Sequence, residues 1–163
     1  MIYNICMKNL AGKKALILGI ASNRSIAWGI SESLKNHGAE LAFTYQNEKL
    51  KERVEKLAGE CGSDIVLPCD VSVDGSINQM LEKLSGRWNE FDILIHSLAF
   101  APKEELEGNY IEKTSKDGFI QAHSISSYSL LELCQEAQPM LKGTNPSVIS
   151  LSYLGAVRGM PNY

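Results

Sequence analysis

A small-residue turn that joins an apolar run to a helix-forming segment carries the clearest chemical signal in the chain. Leu16–Leu18 is followed by Gly19 and then by Ser25, a residue type that often opens helices. Such a turn lets a pyrophosphate approach bare backbone and the positive end of a helix, so it predicts dinucleotide binding. The G-x-G-x-x-G fingerprint would have glycine where Ala21 and Arg24 stand. On this stretch alone, a purely structural turn that binds no ligand is therefore the alternative interpretation.

The composition is that of an ordinary globular protein. The 163 residues are 44% hydrophobic and 21% charged, with a net charge of −3 and both signs interleaved. Because nucleic-acid binding needs clustered Lys and Arg, we expect no nucleic-acid partner. No apolar run reaches the roughly 18 residues of a membrane span, and the start lacks the features of a secretory signal. We therefore expect a cytoplasmic protein without a membrane partner.

The cysteines and histidines lack the spacing of a metal site. No C-x-x-C pair occurs among the four cysteines, so we expect reduced thiols and neither disulfides nor zinc. We predict that His37, His96 and His123 are structural or exposed, and we predict no metal.

Strand-like and helix-like segments alternate along the chain. The predicted strands are Lys14–Leu18, Ala39–Thr44, Ser63–Leu67, Phe91–His96 and Ser147–Leu151, and a long helix is predicted from about Lys116 to Met140. This alternation predicts an α/β fold, a Rossmann-like doubly wound parallel sheet with strand order 3-2-1-4-5. The ligand crevice is expected between strands 1 and 4. No linker divides the chain, so residues 1–163 are predicted to form one dinucleotide-binding domain.

Several further runs resemble one known family. The chain is similar to the bacterial enoyl-acyl-carrier-protein reductases, a divergent branch of the short-chain dehydrogenases. The runs that carry the resemblance are Gly19–Ile30, Gly38–Gln46, Cys69–Val71, His96–Ala101, Ile125–Ser129, Leu151–Ala156 and Pro161–Tyr163. They cover nearly the whole chain from Gly12 onward.

The resemblance implies a set of residues that bind NADH. They are Gly19, Ala21, Ser25, Ile26, Gln46, Asp70, Val71, Ser97, Leu98 and Ala99. Gln46 matches the position beside the adenosine ribose, and its uncharged amide offers nothing to neutralise a 2′-phosphate, so NADH is expected over NADPH. Asp70 and Val71 match contacts to the adenine edge, with a helix-proximal cap as the alternative for Asp70.

The resemblance also implies the reaction and its partners. The family transfers a hydride to the β-carbon of a trans-2-enoyl thioester carried by acyl carrier protein, and it forms homotetramers. Tyr163 matches the tyrosine that hydrogen-bonds the enolate oxygen, and Tyr153 matches a second tyrosine at the acyl site. An apolar acyl channel is expected from Phe100, Ala101, Leu106 and Met160, with core packing open for the last two.

Two features leave alternatives open. The chain ends at Tyr163, before the lysine that follows this tyrosine by seven residues in the family, so we expect a C-terminally incomplete version of the fold. Ser150 precedes Tyr163 by the spacing of an ordinary short-chain dehydrogenase or ketoreductase. Asn23–Ile26 and Tyr153 favour the enoyl reductase over that alternative. A non-catalytic cofactor-binding fragment is the third interpretation.

Overall fold

A parallel five-stranded sheet with helices on both faces is the framework of the computed structural model, which describes residues 9–143 and 145–159. The strands are β1 (Lys14–Leu18), β2 (Glu40–Tyr45), β3 (Val66–Pro68), β4 (Ile93–His96) and β5 (Ser147–Ser150). The α-helices are α1 (Ile26–Asn36), α2 (Glu48–Glu60), α3 (Ser76–Ser85), α4 (Tyr110–Lys113), α5 (Lys116–His123) and α6 (Ser129–Ala137). The strand order is β3-β2-β1-β4-β5, which confirms the predicted topology.

The predicted strands differ from the observed ones mainly at their ends. β1 has the predicted bounds, whereas β3 and β4 begin later than the predicted Ser63 and Phe91. Phe91 instead pairs with Leu141 in an isolated parallel bridge. The polar segment after β4 contains a 3₁₀ turn at Lys103–Glu105 and the short helix α4.

The helical region predicted from Lys116 to Met140 is present but is not one uniform α-helix. A π-helical turn at Ser124–Tyr128 separates α5 from α6, and a 3₁₀ turn at Gln138–Met140 follows α6. Asn47 is the N-cap of α2, although its side chain makes no capping hydrogen bond. Within the described residues, no helix is long and apolar enough to cross a membrane.

The core lies on both faces of the sheet because side chains alternate along each strand. Leu16 and Leu18 of β1 belong to a cluster with residues of α3 and α6. Ala15 and Ile17 belong to a second cluster with residues of α1 and α2. Strands buried on both faces are apolar at nearly every position, which explains the continuous runs in β1 and β4. The sheet is therefore doubly wound, and β1 and β4 flank the switch point.

A carboxylate fixes the beginnings of these two central strands. Asp92, just before β4, accepts hydrogen bonds from Lys13 Nζ at 2.7 Å and from the Lys14 amide at 3.0 Å. Burial raises the pKa of Asp92, but the hydrogen bonds from Lys13 and Lys14 outweigh it, so the pKa lies below its ordinary value. The carboxylate therefore stays ionised and links β1 to β4.

Candidate cofactor-binding site

A cavity of about 220 Å³ opens at the carboxyl ends of the central strands. It brings together most of the predicted cofactor residues, namely Gly19, Ala21, Gln46, Asp70, Val71, Ser97, Leu98 and Ala99, together with the predicted substrate residue Phe100. The lining also contains residues that sequence reasoning did not select: Ile20, Thr44, Leu50, Cys69 and Ile125. Ile20 and Cys69 are sequence neighbours of predicted residues, which was a signal that could have found them, whereas Ile125 comes from a helix far along the chain.

Gly19 is required by contacts within the chain. Its φ is +90°, a backbone conformation that favours glycine. A Cβ on Gly19 would overlap the backbone carbonyl of Ser97 and would lie 3.1 Å from Cδ2 of Leu98. The turn after β1 and the segment after β4 therefore approach each other closely only because residue 19 has no side chain.

The turn after β1 is held by its own side chains and by α2. Ser25 is the N-cap of α1; its hydroxyl accepts from the Trp28 amide at 3.2 Å and donates to the Ser22 carbonyl at 2.7 Å. Arg53 of α2 donates from Nη1 to the Ala21 carbonyl at 3.3 Å. The predicted cofactor residues Ser25 and Ile26 lie at the start of α1 and are not part of the cavity lining, and Ile26 is 68% exposed.

Gln46 and Asp70 meet at the other end of the cavity. The side-chain amide of Gln46 donates from Nε2 to Asp70 Oδ2 at 3.2 Å. Asp70 Oδ1 accepts from the Ser72 amide at 3.0 Å and from its hydroxyl at 2.7 Å. α3 begins later, with Gly75 as its N-cap, so the Asp70 carboxylate stabilises the local turn. The Nε2 donor of Gln46 therefore points to Asp70, and Oε1 is the acceptor atom of this side chain.

Cys69 lies under this end of the cavity with a thiol that resists ionisation. Burial raises the pKa of Cys69 to about 11. The thiol is therefore neutral at physiological pH and contributes apolar surface to the lining.

His96 ends β4 inside a buried polar network. It is 1% exposed, its Nε2 lies 2.8 Å from the Ser129 hydroxyl, and its Nδ1 lies 3.4 Å from the Ser150 hydroxyl. The Ser129 hydroxyl donates to the Ile125 carbonyl at 2.6 Å, so His96 carries its proton on Nε2 and donates to Ser129. Burial lowers the pKa of His96, which keeps the ring neutral. His96 is therefore structural, as predicted, and buried.

The predicted substrate residues do not form one described site. Leu106 is 44% exposed, so core packing, the alternative for this residue, is wrong. Ala101 follows Phe100 and is half-buried, outside the cavity lining. Tyr153 is 52% exposed and also lies outside the lining. The positions of Met160 and Tyr163 lie outside the described residues.

The fold and the cavity together define a class of protein. A doubly wound parallel sheet, with a small-residue turn after β1 that opens on a cavity at the switch point, is a Rossmann-like dinucleotide-binding fold. The family model described as enoyl-(acyl carrier protein) reductase matches residues 19–163. The chain belongs to that family.

The similar proteins are considerably longer than this chain. The enoyl-[acyl-carrier-protein] reductase [NADH] FabI of Haemophilus influenzae is 53% identical over 154 residues, which cover 94% of this chain and 58% of that protein. The Escherichia coli FabI is 49% identical over 156 residues, with the same two shares. The chain therefore spans about 58% of the length of these relatives.

Solved structures of the family have the same fold. The crystal structure of enoyl-[acyl-carrier-protein] reductase (NADH) from Aquifex aeolicus matches with a TM-score of 0.91 and 47% identity, over 94% of this chain and 61% of that chain. The enzyme from Anaplasma phagocytophilum, in complex with NAD, matches with a TM-score of 0.90 and 37% identity, over 100% of this chain and 60% of that chain.

Proposed function

We propose that the protein takes part in the NADH-dependent reduction of trans-2-enoyl thioesters carried by acyl carrier protein, in fatty-acid synthesis. The observation that carries this proposal is the cavity where Gly19, the Gln46–Asp70 pair and the segment Ser97–Ala99 meet. The names of the relatives, which are NADH-dependent enoyl-acyl-carrier-protein reductases, support the same activity.

The lining residues fit an extended dinucleotide. Gln46 and Asp70 offer acceptors for the adenosine half, because a ribose hydroxyl and the exocyclic amine of adenine are both donors. The Gly19 turn leaves room for the pyrophosphate beside the start of α1. The segment Ser97–Ala99 then lies under the nicotinamide half. Neither Gln46 nor Asp70 carries a positive charge that could neutralise a 2′-phosphate, which favours NADH over NADPH.

The proposed chemistry divides between the cofactor and the chain. The reduced nicotinamide supplies the hydride that the β-carbon of the substrate receives. Negative charge then develops on the thioester oxygen, and Tyr163 donates a hydrogen bond to that oxygen. Tyr153 contacts the acyl group as a second tyrosine. Phe100, with Ala101, Leu106 and Met160, provides apolar surface for the acyl chain.

The remaining parts of the proposal concern the setting of this reaction. We propose that residues 1–163 form one dinucleotide-binding domain, that the protein acts in the cytoplasm, and that the complete gene product is a homotetramer. Its macromolecular partner is acyl carrier protein, which presents the enoyl thioester.

The test compares two thioesters with the complete gene product. We expect NADH absorbance to fall with a crotonyl thioester and not with an acetoacetyl thioester, and we expect NADPH to support a slower rate. Tyr163→Phe should lower kcat more than it raises the KM for NADH, because its hydroxyl acts on charge that develops during the reaction. Faster reduction of the acetoacetyl thioester would instead show a ketoreductase, and equal losses in kcat and NADH affinity would make Tyr163 structural.

A further inference from the structure

A π-helical turn interrupts the helix that packs beside the cavity. At Ser124–Tyr128 the helix widens by one residue, and the amide of Ser129 donates to the carbonyl of Ser124, five residues earlier. Such turns change the direction in which neighbouring side chains point, and they occur often at functional sites. The π-helical turn therefore indicates that its side chains have a role besides forming the helix.

One side chain of the turn binds the segment that follows β4. The Ser126 hydroxyl accepts from the Phe100 amide at 2.9 Å and donates to the Phe100 carbonyl at 3.2 Å. The last bonds of the central sheet near this segment are those of the Ser97 amide with the Leu18 carbonyl and the Leu151 amide with the His96 carbonyl. Phe100 lies beyond them, so Ser126 binds both its backbone groups where the sheet no longer does.

The same turn contacts the other end of that segment and the cavity itself. The Ser129 hydroxyl, which donates to the Ile125 carbonyl, lies 2.8 Å from His96 Nε2. Ile125 also contributes to the cavity lining. Both ends of the segment from His96 to Phe100 are thus held by this helix. Phe100 is hydrogen-bonded to Ser126 in the turn, and His96 is hydrogen-bonded to Ser129, the residue after the turn. The residues between them line the cavity.

We propose that the π-helical turn positions the segment Ser97–Ala99 beneath the nicotinamide half of the cofactor, with Ser126 as the positioning residue that holds Phe100. This inference rests on the proposed function, because it takes that segment to be the nicotinamide side of the cavity. Ser126 acts through the Phe100 backbone and is not a catalytic residue. The adenosine side, at Gln46 and Asp70, is independent of this hydrogen bond.

The test uses two ligands that share the adenosine half. We would measure the Kd of NADH, and that of ADP, which lacks nicotinamide and its ribose, on the 163-residue chain. Ser126→Ala should raise the Kd of NADH about fivefold to tenfold, the effect of losing about one well-formed hydrogen bond, and should change the Kd of ADP less than about twofold. Ser126→Thr keeps the hydroxyl and should restore most of the NADH affinity.

Ser127→Ala is the matched control, because Ser127 is an exposed serine on the same turn and should leave both affinities unchanged. Equal weakening of NADH and ADP by Ser126→Ala, no weakening of either, or the same loss in Ser127→Ala would overturn the positioning role. If the unsubstituted chain binds neither ligand, the proposal that this cavity binds a dinucleotide is wrong. That outcome differs from a failure of the positioning role, in which the unsubstituted chain binds both ligands. Thermal unfolding of each variant shows whether the folded state is retained.

Discussion

The substitution Gly19→Ala tests the contact between the turn after β1 and the segment after β4. Residue 19 has a φ of +90°, and an added Cβ would overlap the Ser97 carbonyl, a backbone group that cannot move as a side-chain end does. We expect the variant to lose stability and to displace the segment that includes Ser97. The loss of cofactor affinity would follow from that displacement.

Two effects add up to the expected loss of folding stability in Gly19→Ala. Placing an L residue at this φ costs about 1–2 kcal/mol. Forcing an extra methyl group into a packed contact costs about another 1–3 kcal/mol. We therefore expect the free energy of unfolding to fall by about 2–5 kcal/mol in Gly19→Ala.

Gly12→Ala provides a matched control for the first effect. Gly12 precedes the same strand and has a φ of +77°, but a Cβ there would meet nothing within 4 Å. Urea denaturation followed by circular dichroism would give both free energies, and NADH titration would give both affinities. Gly12→Ala should lose about 1–2 kcal/mol and keep its affinity. If Gly19→Ala were no less stable than Gly12→Ala, the close approach to Ser97 would not constrain residue 19.

The other predictions concern cofactor choice, acid stability and thiol reactivity. Gln46→Arg should shift the ratio of NADPH to NADH affinity at least about tenfold towards NADPH, because a guanidinium can pair with a 2′-phosphate; an unchanged ratio in titrations would contradict this. Asp92→Asn should cost about 1–3 kcal/mol at neutral pH because it weakens the bonds from Lys13 and Lys14. Since the pKa of Asp92 is lowered from 3.8, its contribution is complete above that value and is lost as the pH falls through the folded pKa. Unfolding free energies measured from pH 7 to pH 2 should therefore converge for the two proteins at the acid end, and a constant difference would contradict the reasoning. Cys69, with its pKa raised to about 11, should react with iodoacetamide at pH 7 only after unfolding; mass spectrometry that finds it labelled in the folded chain would count against this.

The topology was predictable from the sequence because it depends on local pattern, whereas the cofactor residues that line the cavity were predicted from the resemblance to the family. Apolar runs at β-α-β spacing indicate a parallel sheet, and its strand order places the ends of β1 and β4 side by side. Gln46 and Ser97 follow strands, and the parallel sheet brings both into the same cavity lining as Gly19. The assignment of residues 1–163 to one domain and the roles of the site residues stay predictions.

The tertiary structure decided the features that join residues far apart in the chain. The π-helical turn is one, because the segment around Ser126 reads as ordinary helix and its partner Phe100 lies 26 residues away. The burial of His96 against Ser129 is another, because a histidine at a strand end gives no local sign of what covers it.

Gly19 shows the difference between what the sequence determines and what only the tertiary structure decides. The sequence by itself determined that a small-residue turn follows the first strand and indicated a dinucleotide, because strand, turn and helix signals are consecutive in the chain. Only the tertiary structure showed that this glycine is also required by the Ser97 carbonyl. That contact exists because parallel pairing places the end of β4 against the end of β1, and such pairing is a property of the folded sheet.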